Sequence, residues 1–237
     1  MEKYSAKLDP TVIQQPRDLA NYIDHTLLKA DATPADIQKL CNEATEFQFK
    51  AVCVNPIFVQ NAADFLRNTQ VQVASVVGFP LGAHRSQIKA AETQQAIDDG
   101  ADEIDMVMRL DFAKQNMFDD LQKDIQLVVQ AAQGKIVKVI LETGLLSQDE
   151  IAKSCHAAEL AGAHFVKTST GFLGRGASLE DILLMRQSCS SRMQIKASGG
   201  IKTFEQAKAL VEAGATRLGT SSGVALVSIG STSSNGY

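Results

Sequence analysis

Three stretches of the chain repeat one pattern, in which an amphipathic segment ends at Gly-Ala and a strand-like segment follows at once. They are AIDDGADEIDMV (96–107), AELAGAHFVKTS (158–169) and LVEAGATRLGTS (210–221). Glycine directly after a helix supplies the left-handed cap conformation, and short runs rich in apolar residues are typical of buried strands. The repeat therefore predicts helix–strand units in series, which assemble into α/β folds with a parallel sheet.

The same template predicts eight strands along the whole chain. Their ranges are 21–28, 49–55, 72–79, 103–109, 137–143, 164–170, 194–199 and 216–221. Eight strands that alternate with helices, with no linker before residue 228, predict a single (β/α)8 TIM barrel over residues 1–227. An open, doubly wound sheet is the structural alternative, but no Gly-x-Gly-x-x-Gly follows the first strand to support it.

Helix starts between these strands carry hydroxyl residues three positions before an acid or amide. The pairs are Thr33 with Asp36, Ser147 with Glu150, Ser178 with Asp181, and Thr203 with Gln206. This spacing predicts N-caps, because the hydroxyl oxygen can accept a hydrogen bond from the first turn. After residue 227 the composition changes to SIGSTSSNGY (228–237), which predicts a flexible C-terminal tail.

Composition excludes several classes of partner. A net charge of −4 without runs of like charge gives no reason to expect nucleic acid or an anionic membrane. The four cysteines form no Cys-x-x-Cys pair and have no histidine at metal-ligand spacing, so neither a disulfide framework nor a zinc site is predicted. No apolar run reaches the length of a membrane span and no signal peptide is evident, so we expect a cytoplasmic protein.

Lysines stand on three consecutive predicted strands. Side chains alternate between the barrel interior and the helix layer, and the inward set contains Lys138, Lys167 and Lys196. The same alternation turns Asp24, Glu103 and Asp105 toward the interior from other strands. Burying charged side chains without partners is costly, and clusters of buried ionisable groups are typical of functional sites. The pattern therefore predicts a functional polar core.

A crowded lysine can act as a nucleophile. An ordinary lysine has a pKa of about 10.4, so only about one molecule in 2,500 carries the reactive neutral amine at pH 7. A second ammonium nearby and partial burial both lower that pKa. With Lys196 on the neighbouring strand as the second cation, Lys167 is predicted to form a Schiff base with a carbonyl substrate.

Glycine-rich loops follow the last three strands. SGGIKT (198–203) and GTSSG (219–223) come after strands seven and eight, where barrels of this type bind phosphate through backbone N–H groups. TGFLGRG (170–176), after strand six, offers Gly171 and Arg175. The loops therefore predict a phosphorylated ligand.

Eight motifs, in chain order, resemble the deoxyribose-phosphate aldolases, a class I aldolase family with a (β/α)8 barrel. They span residues 21–223 and read YIDHTLLKADAT, AVCVNP, VVGFPLG, GADEIDMV, VKVILETGLL, FVKTSTGF, IKASGGIKT and RLGTSSG. The resemblance implies reversible cleavage of 2-deoxy-D-ribose 5-phosphate to D-glyceraldehyde 3-phosphate and acetaldehyde, without a metal or organic cofactor. The family is often dimeric, so it also implies a homodimer.

The resemblance assigns roles to individual positions. Lys167 resembles the Schiff-base lysine, Lys196 the lysine that lowers its pKa, and Asp105 the carboxylate that transfers protons with Lys196 and a water. Tyr237 is similar to a C-terminal tyrosine that reaches the active site in longer-tailed members. Substrate-binding positions are implied for Asp24, Cys53, Gly171, Gly199, Gly200, Gly219, Ser221 and Ser222. The chain departs from some members at Phe172, where they carry a lysine, so phosphate binding could differ there.

Other functions remain open on the residues alone. A different phosphosugar barrel enzyme, such as an isomerase or epimerase, would need a carboxylate base and no imine-forming lysine. A ligand-binding barrel without turnover would keep the phosphate loops alone. A zinc-dependent aldolase is not expected, because His25, His84 and His156 have no metal-ligand spacing.

Overall fold

Eight parallel strands form a closed barrel in the computed structural model, which describes residues 13–228. Each strand pairs with its neighbours in chain order, and β8 pairs with β1. The strands are β1 Ile23–Leu27, β2 Ala51–Val54, β3 Gln72–Val77, β4 Glu103–Val107, β5 Ile136–Ile140, β6 Phe165–Lys167, β7 Gln194–Ser198 and β8 Arg217–Thr220. Each overlaps its predicted range, and the predicted (β/α)8 fold is confirmed.

Helices surround the barrel. They are α1 Pro34–Glu46, α2 Val59–Leu66, α3 Ser86–Asp98, α4 Leu110–Lys114, α5 Phe118–Ala131, α6 Gln148–Leu160, α7 Leu179–Ser188, α8 Phe204–Glu212 and α9 Gly223–Ser228. Short 3₁₀ helices cover Pro16–Tyr22, Pro56–Phe58 and Thr143–Leu145. The predicted caps are confirmed: the side chains of Thr33, Ser147, Ser178 and Thr203 each accept a bond from the backbone N–H three residues on.

The repeated Gly-Ala turn forms as its sequence predicts. Gly100, Gly162 and Gly214 have φ angles of 105°, 86° and 116°, in the region that favours glycine. Each follows the end of a helix and leads within a few residues into β4, β6 or β8. These turns fix where the three strands begin, and therefore which of their side chains face the interior.

The structure has two separate buried regions, one between the strands and the helices and one inside the ring of strands. Between strands and helices lies a large apolar core, to which α1 contributes Ile37, Leu40 and Ala44. Inside the strands, Cys53, Ala74 and Val76 form a much smaller apolar cluster. Most of the remaining space inside the ring of strands is occupied by charged side chains, described below.

The C-terminal segment is only partly described. Ser228, the first residue of the predicted tail, belongs to α9. The rest of that tail, including Tyr237, lies outside the described residues. Across residues 13–228, no helix combines the length and apolar character that crossing a membrane requires.

Candidate active site

Seven charged side chains fill the interior of the barrel, and each has at most 4% of its surface exposed. Strand alternation predicts six of them. The cations are Lys138, Lys167, Lys196 and Arg217, and the carboxylates are Asp24, Glu103 and Asp105. Arg217 was not identified from the sequence, although it lies two residues before Gly219 and therefore shares its face of the strand.

Asp105 lies at the centre of the lysine cluster. Its Oδ1 accepts a bond from Lys138 Nζ at 2.6 Å, and its Oδ2 accepts bonds from Lys167 Nζ at 2.8 Å and Lys196 Nζ at 2.7 Å. Burial alone would raise the pKa of this carboxyl group, but the three lysines hold it well below its usual range. Asp105 is therefore an ionised carboxylate that contacts both lysines of the predicted catalytic pair.

Lys196 is held as a cation by two carboxylates. It forms ion pairs with Asp24 and Asp105, and its side chain is fully buried. Burial would lower the pKa of Lys196, but Asp105 and Asp24 together raise it. The register brings Lys196 beside Lys167, because these two residues pair directly across β6 and β7.

Lys167 has a different environment. Asp105 is the one carboxylate within ion-pair distance of its amine among the described residues. Its pKa is lowered, chiefly by burial and further by the charge of Lys196, while Asp105 opposes the shift. The direction agrees with the prediction, but burial has a larger effect than the neighbouring ammonium.

A cavity of about 260 Å³ opens where Lys167 and the loops after β6, β7 and β8 meet. Its wall includes Lys167 and six of the predicted binding residues: Gly171, Gly199, Gly200, Gly219, Ser221 and Ser222. It also includes two exposed cations, Lys29 and Lys202, which the sequence analysis did not assign to the site. Lys202 could have been found, because it lies within the SGGIKT motif itself.

The other predicted site residues do not line this cavity. Lys196 and Asp105 do not line the cavity. Asp105 contacts the cavity residue Lys167 directly, and Lys196 is connected to Lys167 through Asp105. Asp24 is fully buried against Lys196 and Arg217, and Cys53 packs with apolar residues inside the strands. Neither residue lines the cavity, so a role for Asp24 or Cys53 in substrate binding stays a prediction.

Gly219 leaves space for the side chain of Lys196. A Cβ atom at this position would lie 3.0 Å from Cε of Lys196 and 2.9 Å from Cβ of Ser198. The absence of a side chain allows Lys196 to cross β8 on its way to Asp24. Gly219 is thus needed for the charged cluster as well as for the cavity wall.

The loop after β6 carries an aromatic residue and a separate ion pair. Phe172 is 56% exposed at the cavity and makes an edge-to-face contact with Phe79, with ring centroids 5.1 Å apart. Arg175 binds Asp181 through two nitrogens and does not line the cavity. Glu142 accepts bonds from the backbone and hydroxyl groups of Thr170, which tie this loop to β5.

No three ligating side chains within residues 13–228 are arranged to hold a metal ion.

Comparison with known proteins gives one consistent result. A family model described as DeoC/LacD family aldolase matches residues 19–228. The deoxyribose-phosphate aldolase of Staphylococcus epidermidis is 52% identical over 208 residues, which cover 88% of this chain and 94% of that protein. The deoxyribose-phosphate aldolase of Bdellovibrio bacteriovorus is 54% identical over 213 residues, which cover 90% and 97%.

Solved structures agree with these matches. A putative deoxyribose-phosphate aldolase from Coccidioides immitis superposes with a TM-score of 0.88 at 44% identity, covering 91% of this chain and 86% of that one. The deoxyribose phosphate aldolase from Aeropyrum pernix, described as tetrameric, has a TM-score of 0.85 at 33% identity, covering 92% and 93%.

Proposed function

The chain belongs to the DeoC/LacD family of aldolases, and we propose that it is a class I aldolase that reversibly cleaves 2-deoxy-D-ribose 5-phosphate to D-glyceraldehyde 3-phosphate and acetaldehyde. Relatives about half identical to it over most of its length are deoxyribose-phosphate aldolases. One observation supports the chemistry most strongly. The buried amine of Lys167, with a lowered pKa, lies on the wall of a cavity lined by glycine and serine residues.

The first step is attack by the neutral amine of Lys167 on the aldehyde carbon of the open-chain sugar. The carbinolamine that forms loses water to give an iminium, in which the substrate carbon is bonded to Nζ. The iminium accepts the electron pair of the breaking C2–C3 bond, while the hydroxyl group at C3 loses its proton. D-Glyceraldehyde 3-phosphate leaves, and an enamine of acetaldehyde remains on Lys167.

The second half of the reaction needs a proton at the enamine carbon. Asp105 contacts Lys167 at 2.8 Å and Lys196 at 2.7 Å, so it connects the reacting nitrogen to a lysine that stays charged. We assign proton transfer to Asp105 and Lys196 together with a water molecule, a role worth about 10²- to 10⁴-fold in rate for a positioned acid or base. Hydrolysis of the resulting iminium releases acetaldehyde.

The phosphate of the substrate is assigned to the glycine and serine residues of the cavity. Backbone N–H groups of such loops bind phosphate without carrying a charge of their own. The proposed ligands are at Gly171, Gly199, Gly200, Ser221 and Ser222, which share the cavity wall with Lys167. Lys29 and Lys202 add positive charge to the same wall, where Phe172 presents an apolar surface.

Tyr237 is proposed to assist proton transfer at the enamine carbon, on the resemblance of the tail to that of longer family members. Its position is outside the described residues. Removing Tyr237 is expected to slow hydrogen exchange at the methyl carbon of acetaldehyde while imine formation persists. Unchanged exchange would remove this role.

We propose that this enzyme forms a homodimer and that it acts in the cytoplasm. Family membership supports both, and the Aeropyrum pernix relative demonstrates that larger assemblies occur among similar proteins.

Reductive trapping tests the proposed function directly. The protein is incubated with acetaldehyde and borohydride, and the modified residue is located by peptide mass spectrometry. An ethyl group on Lys167 is expected. This active-site modification should be absent in Lys167→Met and complete in the control Lys208→Met, which alters a partly exposed lysine. An isomerase or epimerase in the same fold would give no trapped adduct.

A further inference from the structure

Arg217 and Glu103 form an ion pair that the proposed mechanism does not use. Arg217 donates to both oxygens of Glu103, at 3.0 and 3.1 Å, and to Oδ1 of Asp24 at 2.5 Å. Glu103 also pairs with Lys138 at 2.6 Å. Both side chains are almost completely buried, and neither lines the cavity. The pair is therefore joined to the catalytic lysines through other charges, without contact to a substrate.

The buried cluster contains unequal numbers of opposite charges. Its four cations, Lys138, Lys167, Lys196 and Arg217, face three carboxylates, Asp24, Glu103 and Asp105. If every group were ionised, the barrel interior would hold one positive charge in excess. An uncompensated buried charge is strongly unfavourable, so one of the four cations is driven to lose its proton.

The contacts identify which cation that is. A guanidinium is not deprotonated in proteins, which removes Arg217 from consideration. Lys138 pairs with Asp105 and Glu103 at 2.6 Å and with Asp24 at 3.4 Å. Lys196 pairs with two carboxylates, whereas within residues 13–228 Lys167 pairs only with the Asp105 oxygen that Lys196 also binds.

We propose that Arg217 and Glu103 are positioning residues for the amine of Lys167: the charge that Arg217 adds at the base of the barrel makes Lys167 the cation in excess, and Glu103 limits that excess to a single charge. This inference rests on the proposed role of Lys167 as the Schiff-base lysine. It extends that role by tracing the reactivity of the amine to a pair that never meets the substrate.

Other titratable groups lie around Lys167 inside the barrel. The groups that face it are Asp24 from β1, Cys53 from β2, Glu103 and Asp105 from β4, Lys138 from β5, Glu142 after β5, Lys196 from β7 and Arg217 from β8, while β3 contributes Ala74 and Val76. Burial raises the pKa of the Cys53 thiol and of the Glu142 carboxyl, which favours their neutral forms. Glu142 also binds Thr170 and forms no ion pair with a lysine in the described chain.

The pKa directions agree with the charge count. Burial opposes the charged forms of Lys138 and Arg217, but their carboxylate partners raise both pKa values. Lys167 is the lysine of the cluster whose pKa falls. When the iminium forms, the excess positive charge returns at the substrate, where it strengthens the pull on the breaking bond.

The test compares Arg217→Gln, Glu103→Gln and the double variant. Each protein is trapped with acetaldehyde and cyanoborohydride across a range of pH, and the midpoint of the rate increase reports deprotonation of Lys167. Arg217→Gln leaves three cations and three carboxylates, so its midpoint is expected to move to higher pH. For each pH unit of that shift, trapping below the midpoint slows about tenfold, while the rate at high pH is retained.

The double variant carries the decisive comparison. It restores the excess of one positive charge, so its midpoint is expected to return toward that of the wild type, above the midpoint of Glu103→Gln. If Arg217→Gln alone does not fold, comparing Glu103→Gln with the double variant still tests the inference. The double variant must then have the higher midpoint for trapping at Lys167. Arg217→Lys keeps the charge and is expected to keep the wild-type midpoint.

Two results would overturn the inference. One is an Arg217→Gln midpoint equal to that of the wild type, and the other is an equal midpoint in Glu103→Gln and the double variant. A failure of the proposed function looks different, because the wild-type protein would then form no adduct at Lys167 at any pH.

Discussion

The amines of Lys167 and Lys196 donate to the same oxygen, Oδ2 of Asp105, at 2.8 and 2.7 Å. Lys196 has a second carboxylate partner in Asp24, and within residues 13–228 Lys167 has none. The pKa values of the two lysines consequently shift in opposite directions, down for Lys167 and up for Lys196. This asymmetry agrees with the proposed roles, in which Lys167 is the nucleophile and Lys196 is a cation that holds and returns a proton.

Asp105→Asn is expected to separate imine formation from turnover. The carboxylate opposes the lowered pKa of Lys167, so its removal leaves the amine neutral and able to react. Proton transfer at the enamine is lost, and kcat for cleavage should fall about 10²- to 10⁴-fold. Steady-state cleavage and acetaldehyde trapping are measured on the same samples, with exposed Asp149→Asn as the control. Equal losses in both assays would contradict the assigned role.

Lys202→Met is expected to weaken binding of the phosphorylated substrate. Lys202 lies on the cavity wall and is exposed, so water screens its charge. We expect an effect of about 1 kcal/mol, which is roughly fivefold in KM. The KM for unphosphorylated 2-deoxy-D-ribose should not change. Lys208→Met, which alters a partly exposed lysine on α8 away from the cavity, is the matched control. A parallel rise in KM for both sugars would show that the lysine does not act on phosphate.

Lys89→Met is expected to destabilise the fold without touching the cavity. Lys89 Nζ lies 2.6 Å from Oδ2 of Asp124 and 3.1 Å from the carbonyl oxygen of Val107, and both charged side chains are fully buried. Removing one partner of a buried pair lowers the free energy of unfolding by about 3–5 kcal/mol. Urea denaturation measures the change.

Two matched variants check this explanation. Lys89→Met/Asp124→Leu removes both charges and should recover most of the lost stability, because no buried charge is then left alone. Lys123→Met breaks an exposed pair with Asp120 and should cost about 1 kcal/mol or less. A double variant as unstable as Lys89→Met would point to lost packing instead of an unpaired carboxylate.

Acid is expected to destabilise the protein through the interior carboxylates. The pKa values of Asp24, Glu103 and Asp105 are lowered in the folded protein, since their cationic partners outweigh the effect of burial. A lowered folded pKa gives stability that is fully present above the unfolded value, about 3.9 for aspartate and 4.3 for glutamate, and that is lost as pH falls through the folded value. Urea midpoints should therefore drop steeply below about pH 4, and a flat profile would contradict the ion pairs.

The sequence predicts the fold and most of the charged interior for a simple physical reason. Gly-Ala turns fix where strands begin, and alternation along a strand then determines which side chains point inward. Lys138, Lys167 and Asp105 follow from this rule, and the structure places all of them inside the barrel. Arg217 follows the same rule, but it lies just before GTSSG, a motif whose glycines indicate phosphate binding and not a buried charge.

Local sequence does not determine how the charges are shared. Which lysine lacks a counter-charge depends on how Asp24 of β1 and Asp105 of β4 divide their oxygens among lysines on β5, β6 and β7. The contact between Asp24 and Lys196 also depends on the closed barrel, because the Lys196 side chain must extend past Gly219 to make it. Such distances arise only when the barrel closes.

The titration of Lys167 itself is the most direct test of the central claim. The ¹³Cε signals of lysines in the labelled protein are followed with pH, and the Lys167 signal is assigned by its absence in Lys167→Met. The account predicts a midpoint for Lys167 below the ordinary lysine value of about 10.4, with Lys196 titrating above that value. A Lys167 midpoint at or above the ordinary value would contradict it, because the amine would then be as protonated at neutral pH as any surface lysine.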